Sequence, residues 1–297
     1  MKVLVIGATG KQGGHVARML LERGHTVYAL TRNPDSPAAE KLSLIGAKVI
    51  KGDWSDQRSL ERALGDVDAL FAITTPLEGG SEVETKQGIA IAEAAKAQGK
   101  YLVFSSVGSS NKKTLVPFFE SKWKVEQHIA KIGIEATVIA PVWFMENLIT
   151  MSLPQLKEGL FPYPLPSDRK LAQVALDDIA GMAVLALENK QRFIGARIDL
   201  ASDDLTGEQA AAILSDATGR HIKCVQIPID EVRKRSSEVA QMFEWFERVG
   251  YNVDIAKLRL DYPEVKWHTY ASWAKEQDWN LLLGLSPTGR TSKSGAY

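Results

Sequence analysis

The chain begins Met1-Lys2-Val3-Leu4-Val5-Ile6 and runs straight into Gly7-Ala8-Thr9-Gly10-Lys11-Gln12-Gly13. No other stretch restricts the fold as tightly. A short apolar strand enters three glycines spaced G-x-x-G-x-x-G, and a helix-period pattern (Val16-Ala17, Leu20-Leu21) follows at once. The spacing is a variant of the dinucleotide-binding fingerprint. Gly7 permits the tight turn, Gly10 lets backbone approach a pyrophosphate, and Gly13 lets helix and strand pack closely. The N–H groups at the helix start suit phosphate oxygens. Thr9, Lys11 and Gln12 share the loop and join the glycines as candidate cofactor contacts.

The rhythm behind the loop points to the same architecture. Apolar runs at residues 3–6, 26–31, 48–51, 69–73, 101–104 and 136–140 alternate with amphipathic helical stretches. Runs without period-2 alternation suit strands buried on both faces. The expected fold is α/β, a Rossmann-type doubly wound parallel sheet with a smaller, mainly helical C-terminal substrate region. After Pro141 the rhythm breaks. Pro154, Pro162, Pro164 and Pro166 mark a loop rather than a helix. Helices are expected near 176–187, 207–218, 231–249 and 269–277, and short strands near 197–200 and 223–226. The reading divides the chain into a dinucleotide-binding domain (1–145), a substrate or interaction region packed on the same sheet (146–284) and a loose polar tail (285–297).

Charge narrows the partners. Lys plus Arg and Asp plus Glu each number 36, so the net charge is zero, whereas nucleic-acid binders carry a basic excess. Cys224 is the single cysteine, which precludes an intrachain disulfide and fits a reducing compartment. No stretch reaches the ~18 apolar residues of a membrane helix. A cytoplasmic protein with neither nucleic-acid nor membrane partner is expected, its oligomeric state left open by the sequence. The histidines, His15, His25, His128, His221 and His268, show no metal-ligand spacing, so no metal is expected.

NAD-preferring domains carry a carboxylate at the end of the second strand, about 20 residues past the loop. Here that strand ends Tyr28-Ala29-Leu30-Thr31-Arg32-Asn33. Arg32 suits a 2′-phosphate instead, and Lys11 adds a second positive charge, so NADP(H) is favoured over NAD. After the third strand, Asp53 is placed to accept from an adenine amine with Trp54 against the ring. Alternatively, Asp53 or Ser55 caps the next helix. Thr74, Thr75 and Pro76 follow the fourth strand, on the diphosphate and nicotinamide-ribose side.

The fifth strand ends Phe104-Ser105-Ser106, with Phe118 thirteen residues after Ser105 and Lys122 four further on. In short-chain dehydrogenases/reductases a serine, a tyrosine and a lysine take these places, the last two on one helix face. Phe118 has no proton to give. Together with Gly7–Gly13, the segments Glu84-Thr85-Lys86-Gln87-Gly88, Val116-Pro117-Phe118-Phe119-Glu120-Ser121-Lys122, Val125-Glu126 and Pro141-Val142-Trp143-Phe144-Met145-Glu146-Asn147 resemble the NmrA-like family of atypical short-chain dehydrogenases/reductases. The resemblance extends more weakly to Met242-Phe243-Glu244-Trp245-Phe246.

That resemblance implies two functions. The family holds NADP-binding regulators that sense redox state without turnover, and reductases of quinones and dyes. It implies Lys122 and Ser105 as catalytic residues, with Pro141, Val142 and Phe144 lining the nicotinamide end. The expected function is NADPH-dependent reduction of a small conjugated or aromatic acceptor without the usual tyrosine. The alternative is a silent sensor with a protein partner. Glu126, at i+4 from Lys122, is equally a candidate to orient it or an ordinary helix surface contact, while His128 points elsewhere around the helix. Tyr163, between Pro162 and Pro164, reads as a structural tyrosine more than a lid over the pocket. Phe243, Trp245, Phe246, Trp267, Trp273 and Trp279 invite a substrate-pocket reading but read by default as helical core, and Arg233-Lys234-Arg235 as a solvated face.

Overall fold

In the first strand, β1 (Lys2–Ile6), Val3 and Val5 enter one core while Leu4 and Ile6 enter another. A strand covered on both faces can therefore be apolar throughout. The computed structural model describes residues 1–76 and 79–284, so the tail expected over 285–297 lies outside the described residues. Beyond β1 the order is α1 (Lys11–Glu22), β2 (Thr26–Thr31), α2 (Pro37–Leu44), β3 (Lys48–Lys51), α3 (Gln57–Leu64), β4 (Ala69–Ile73), α4 (Gly80–Ala97), β5 (Tyr101–Ser105), α5 (Pro117–Ile132) and β6 (Ala136–Pro141). There follow β7 (Trp143–Phe144), α6 (Asn147–Lys157), β8 (Leu160–Tyr163), β9 (Lys170–Val174), α7 (Leu176–Glu188), α8 (Lys190–Phe193), β10 (Arg197–Leu200), β11 (Asp203–Thr206), α9 (Gly207–Thr218) and β12 (Lys223–Gln226). The chain closes with α10 (Ile229–Arg235), α11 (Ser237–Arg248), α12 (Ile255–Asp261), α13 (Tyr270–Glu276) and α14 (Trp279–Leu283).

Seven strands form one sheet in the order β10-β6-β5-β4-β1-β2-β3, each neighbouring pair parallel. This is a Rossmann-like α/β fold. Helices α1 and α7 pack together on one face, and α3, α4 and α5 cover the other. Both β10 and α7 come from beyond residue 145, so that part of the chain completes the sheet as well as building outward from it. The outward part carries a three-stranded sheet (β11-β9-β7), the parallel pair β8–β12 and a second core around Phe119, Phe243, Trp245, Phe246 and Trp273. Trp267 packs on the first core instead.

Two local expectations fail for physical reasons. Pro162 lies in β8, and Pro154 lies inside α6, rather than in a loop. The missing N–H of Pro154 costs one helical bond, but Leu148, Ser152 and Leu156, spaced four apart, bury one face of the helix and hold it. The helix expected over 231–249 is broken at Ser236, whose backbone is extended (φ −158°, ψ 119°). The Ser236 hydroxyl accepts the Val239 N–H at 3.3 Å and starts α11 as a new helix.

One partly buried pair ties the last helices to the sheet layer. His268, ahead of α13, sets its Nδ1 2.5 Å from Oδ1 of Asp178 in α7, and its backbone N–H also donates to Asp178. The Asp178 side chain is fully buried. Hydrogen bonding and attraction to Asp178 push the His268 pKa from 6.5 up to about 9, against the opposing effect of burial. Because the folded value is raised, the stabilisation is complete below pH 6.5 and is lost as pH rises through 9. Urea melts should accordingly lose on the order of 2–3 kcal/mol between these limits, and His268→Gln should flatten that slope.

Candidate cofactor and active site

The glycine loop has the geometry its spacing demands. Gly7 takes φ +83°, and a Cβ there would lie 2.6 Å from the Ile73 side chain. A Cβ on Gly13 would lie 2.2 Å from the Gly7 carbonyl oxygen, so only glycine lets α1 sit this close to β1. Gly10 donates to Gly7 O at 2.9 Å and precedes α1, whose N-terminus carries no side-chain cap. Its first-turn N–H groups are therefore left for an anion. Thr9 is half-buried and Lys11 exposed at the rim, its pKa lowered by partial burial while Glu146 opposes. Gln12 is buried; its Nε2 donates to Ser105 Oγ at 2.7 Å, and its Oε1 has no partner among the described residues. An open helix terminus, a cradle that one methyl would fill and an unpaired polar atom beside it fit a dinucleotide.

The adenine-side candidates come together at the ends of β2 and β3. The exposed Arg32 guanidinium lies over the Trp54 ring, 5.3 Å from its centroid. Asp53 accepts the Ser55 N–H at 2.8 Å in a local turn. Neither Asp53 nor Ser55 caps α3; Asp56 does, accepting the Arg58 N–H at 3.0 Å. Thr74, Thr75 and Pro76 follow β4 directly, with Thr74 buried and the other two half-buried.

Lys122 and Ser105 meet beneath this edge of the sheet, both buried. The Lys122 ammonium donates to Thr74 O at 2.7 Å, to Thr74 Oγ1 at 3.0 Å and to Ser105 O at 3.4 Å. It also pairs with the fully buried Glu84 at 3.1 Å. Burial lowers the Lys122 pKa, and Glu84 opposes that shift. Glu84 further accepts from Thr74 Oγ1 at 3.3 Å and from Ser121 Oγ at 2.5 Å. Sequence reasoning does not single out Glu84. The available signal is a carboxylate four residues before Gly88 and seven before Ile91, on the buried face of α4.

Glu126 does not orient Lys122. Its carboxylate accepts from Ser106 and from Ser110 (2.6 Å) and pairs with Arg197 Nε at 2.7 Å. Arg197 also donates to Ser110 Oγ at 2.9 Å and to Val107 O at 3.3 Å, which fastens the loop after β5 to β10. His128 lies 3.2 Å from Glu93, away from the site. Phe118 is half-buried against the second core, and Phe119 is buried there against Trp245 and Phe246.

Pro141 and Val142 are buried where β6 ends, and Phe144 is half-buried in β7. Glu146 then accepts from Leu176 N at 3.1 Å and Trp273 Nε1 at 3.0 Å, fixing this segment to α7 and α13. Beside the segment lies a cavity of about 360 Å³ lined by Trp143, Asn147, Met151, Phe161, Tyr163 and Phe243 among others. Phe243 thus serves both the core and the cavity wall. The Tyr163 hydroxyl donates to Arg169 O at 2.8 Å, and burial raises its pKa, so it is held in the wall. Arg233 and Lys234 form surface pairs, whereas Arg235 stands on the cavity rim.

Fold and loop define an NAD(P)-binding protein of the short-chain dehydrogenase/reductase type. The model of the NmrA-like family matches residues 1–274, and the chain belongs to that family. A Dictyostelium discoideum protein described as containing an NmrA-like family domain is 32% identical over 85% of this chain and 89% of its own length. An NAD(P)H azoreductase of Xenophilus azovorans is 31% identical over 78% of this chain and 79% of its own. Among solved structures, NmrA, a negative transcriptional regulator in complex with NADP, aligns with a TM-score of 0.75 at 20% identity. That alignment covers 94% of this chain and 98% of the other. Among the described residues, no helix is long and apolar enough to cross a membrane, and no group of three or more His, Cys, Asp or Glu could hold a metal ion.

Proposed function

We propose that this chain is an NADPH-dependent reductase of a small conjugated or aromatic acceptor, quinone-like or an enone. The carrying observation is the aromatic-walled cavity of about 360 Å³, whose Trp143 and Asn147 lie just past the C-terminal end of β6. Ligands of such sheets bind at these strand ends, in pockets of this character. The azoreductase relative supports the same class of chemistry.

When bound, NADPH supplies the hydride; the residues of the chain hold and orient. Arg32 and Lys11 bring positive charge to the 2′-phosphate, with Asp53 and Trp54 at the adenine. The α1 N-terminus with Gly7, Thr9, Gly10, Gln12 and Gly13 takes the pyrophosphate. Thr74, Thr75, Pro76, Pro141, Val142 and Phe144 flank the nicotinamide side. Lys122 spends its donors on Thr74, Glu84 and Ser105. It therefore acts as a positioning residue that keeps the ends of β4 and β5 together, at the strand ends that would hold the nicotinamide side. Phe118 offers no proton, so the acceptor takes its proton from water. That suits acceptors whose reduced form is a delocalised anion.

A second reading, a silent NADP(H)-binding sensor with a protein partner, is favoured by Phe118 alone. Following NADPH absorbance against quinones, enones, aldehydes and azo dyes separates the two. The reductase reading expects turnover with at least the quinones. Arg32→Ala should then raise KM for NADPH about tenfold or more while leaving that for NADH unchanged. Tight NADP(H) binding without oxidation by any acceptor would select the sensor.

A further inference from the structure

The cavity beside Trp143 is lined by a residue whose buried hydroxyl finds no partner among the described residues. Tyr270 lines it, is 1% exposed, and its hydroxyl has no hydrogen-bond partner. Other buried phenols are served: Tyr101 bonds Thr137 at 2.6 Å, and Tyr163 bonds the Arg169 carbonyl. Native folds leave few buried polar groups unpaired, and Tyr270, one of the residues lining the cavity, leaves one.

Tyr270 is also held rigidly. It opens α13 behind the capping pair Thr269 and Ser272, donates its backbone N–H to Asp203 at 2.8 Å, and packs on Trp273 with ring centroids 5.2 Å apart. Burial raises its pKa, so the group stays O–H and donates. Gln155 Oε1, also fully buried on this wall and without a partner among the described residues, can only accept.

We propose that Tyr270 is the specificity-determining hydrogen-bond donor of the cavity, selecting flat conjugated acceptors that carry a carbonyl-type oxygen over hydrocarbons of the same shape. The inference rests on the cavity being the acceptor site. Tyr270 keeps its proton. The acceptor gains two electrons with the hydride and a proton from water, while the phenol stabilises the oxygen on which charge gathers.

The test is calorimetric binding of 2,3-dimethyl-1,4-naphthoquinone and of 2,3-dimethylnaphthalene to the protein saturated with NADP⁺, so that no turnover intervenes. Wild type should bind the quinone about tenfold more tightly than the hydrocarbon, and Tyr270→Phe should erase that preference by weakening quinone binding alone. Without ligand, Tyr270→Phe should melt at the same temperature or higher, since no internal hydrogen bond is lost. Equal weakening of both ligands, a lower melting temperature in the ligand-free variant, or no quinone binding to wild type would each overturn the proposal. If the preference is erased as expected while wild type oxidises no NADPH, the reductase reading fails and Tyr270 stands only as the hydrogen-bond donor of a ligand site, not as a selector of acceptors.

Discussion

Lys122→Ala is expected to cost the fold about 3–5 kcal/mol, because it strands a buried carboxylate. Glu84 is fully buried and loses its cationic partner at 3.1 Å, keeping only Thr74 and Ser121 as donors. Loss of NADPH oxidation in that single variant is therefore ambiguous. The double variant Lys122→Ala/Glu84→Gln removes both charges and should recover most of the stability in urea melts. It should still turn over about 100-fold more slowly than wild type, the scale expected when reacting groups are misplaced by about 1 Å. Recovery of turnover along with stability would reduce Lys122 to a counter-ion for Glu84. The residue would then have no part in setting Thr74 and Ser105.

Gly13→Ala is the second large effect. The added methyl would sit 2.2 Å from the Gly7 oxygen and 2.5 Å from its carbonyl carbon, both backbone atoms that no rotamer change can move. Either α1 shifts or the loop opens. The cost should reach about 3 kcal/mol or more, and NADP⁺ affinity should fall about 100-fold as the helix N–H groups leave the phosphates. Gly14→Ala provides the comparison one residue away. Its methyl meets only Ala8 O at 3.3 Å, so it should stay within about 1 kcal/mol of wild type, helped by helix propensity. A Gly13→Ala protein that melts like wild type would mean the loop is looser than its contacts indicate.

The features legible in the sequence are those written in short stretches. Residues 3–6 and 101–104 read as buried strands because both faces of the sheet are covered, which removes any need for alternation. The glycine loop is readable because its constraint is steric and local. Arg32, Ser105 and Lys122 follow from their positions relative to strand ends. Pro154 misleads because its local cost is outweighed by the buried face of α6. Glu126 misleads because i+4 spacing states only that contact with Lys122 is possible. Arg197, 71 residues away, takes the carboxylate instead.

The sequence by itself determined the Rossmann-type sheet, the dinucleotide loop, the positive charge at Arg32 and the loss of the phenol at Phe118. Each of these follows from a periodicity, a steric demand or the absence of a functional group. Only the tertiary structure decided that Lys122 answers to Glu84, that β10 and α7 complete the sheet, and that Tyr270 faces a cavity begun at Trp143. Lys122 and Glu84 stand 38 residues apart, and Tyr270 and Trp143 stand 127 apart. Charge partners and cavity walls so far apart share no local pattern; packing brings them together, and the cost of burying an unpaired charge or hydroxyl makes the choice matter.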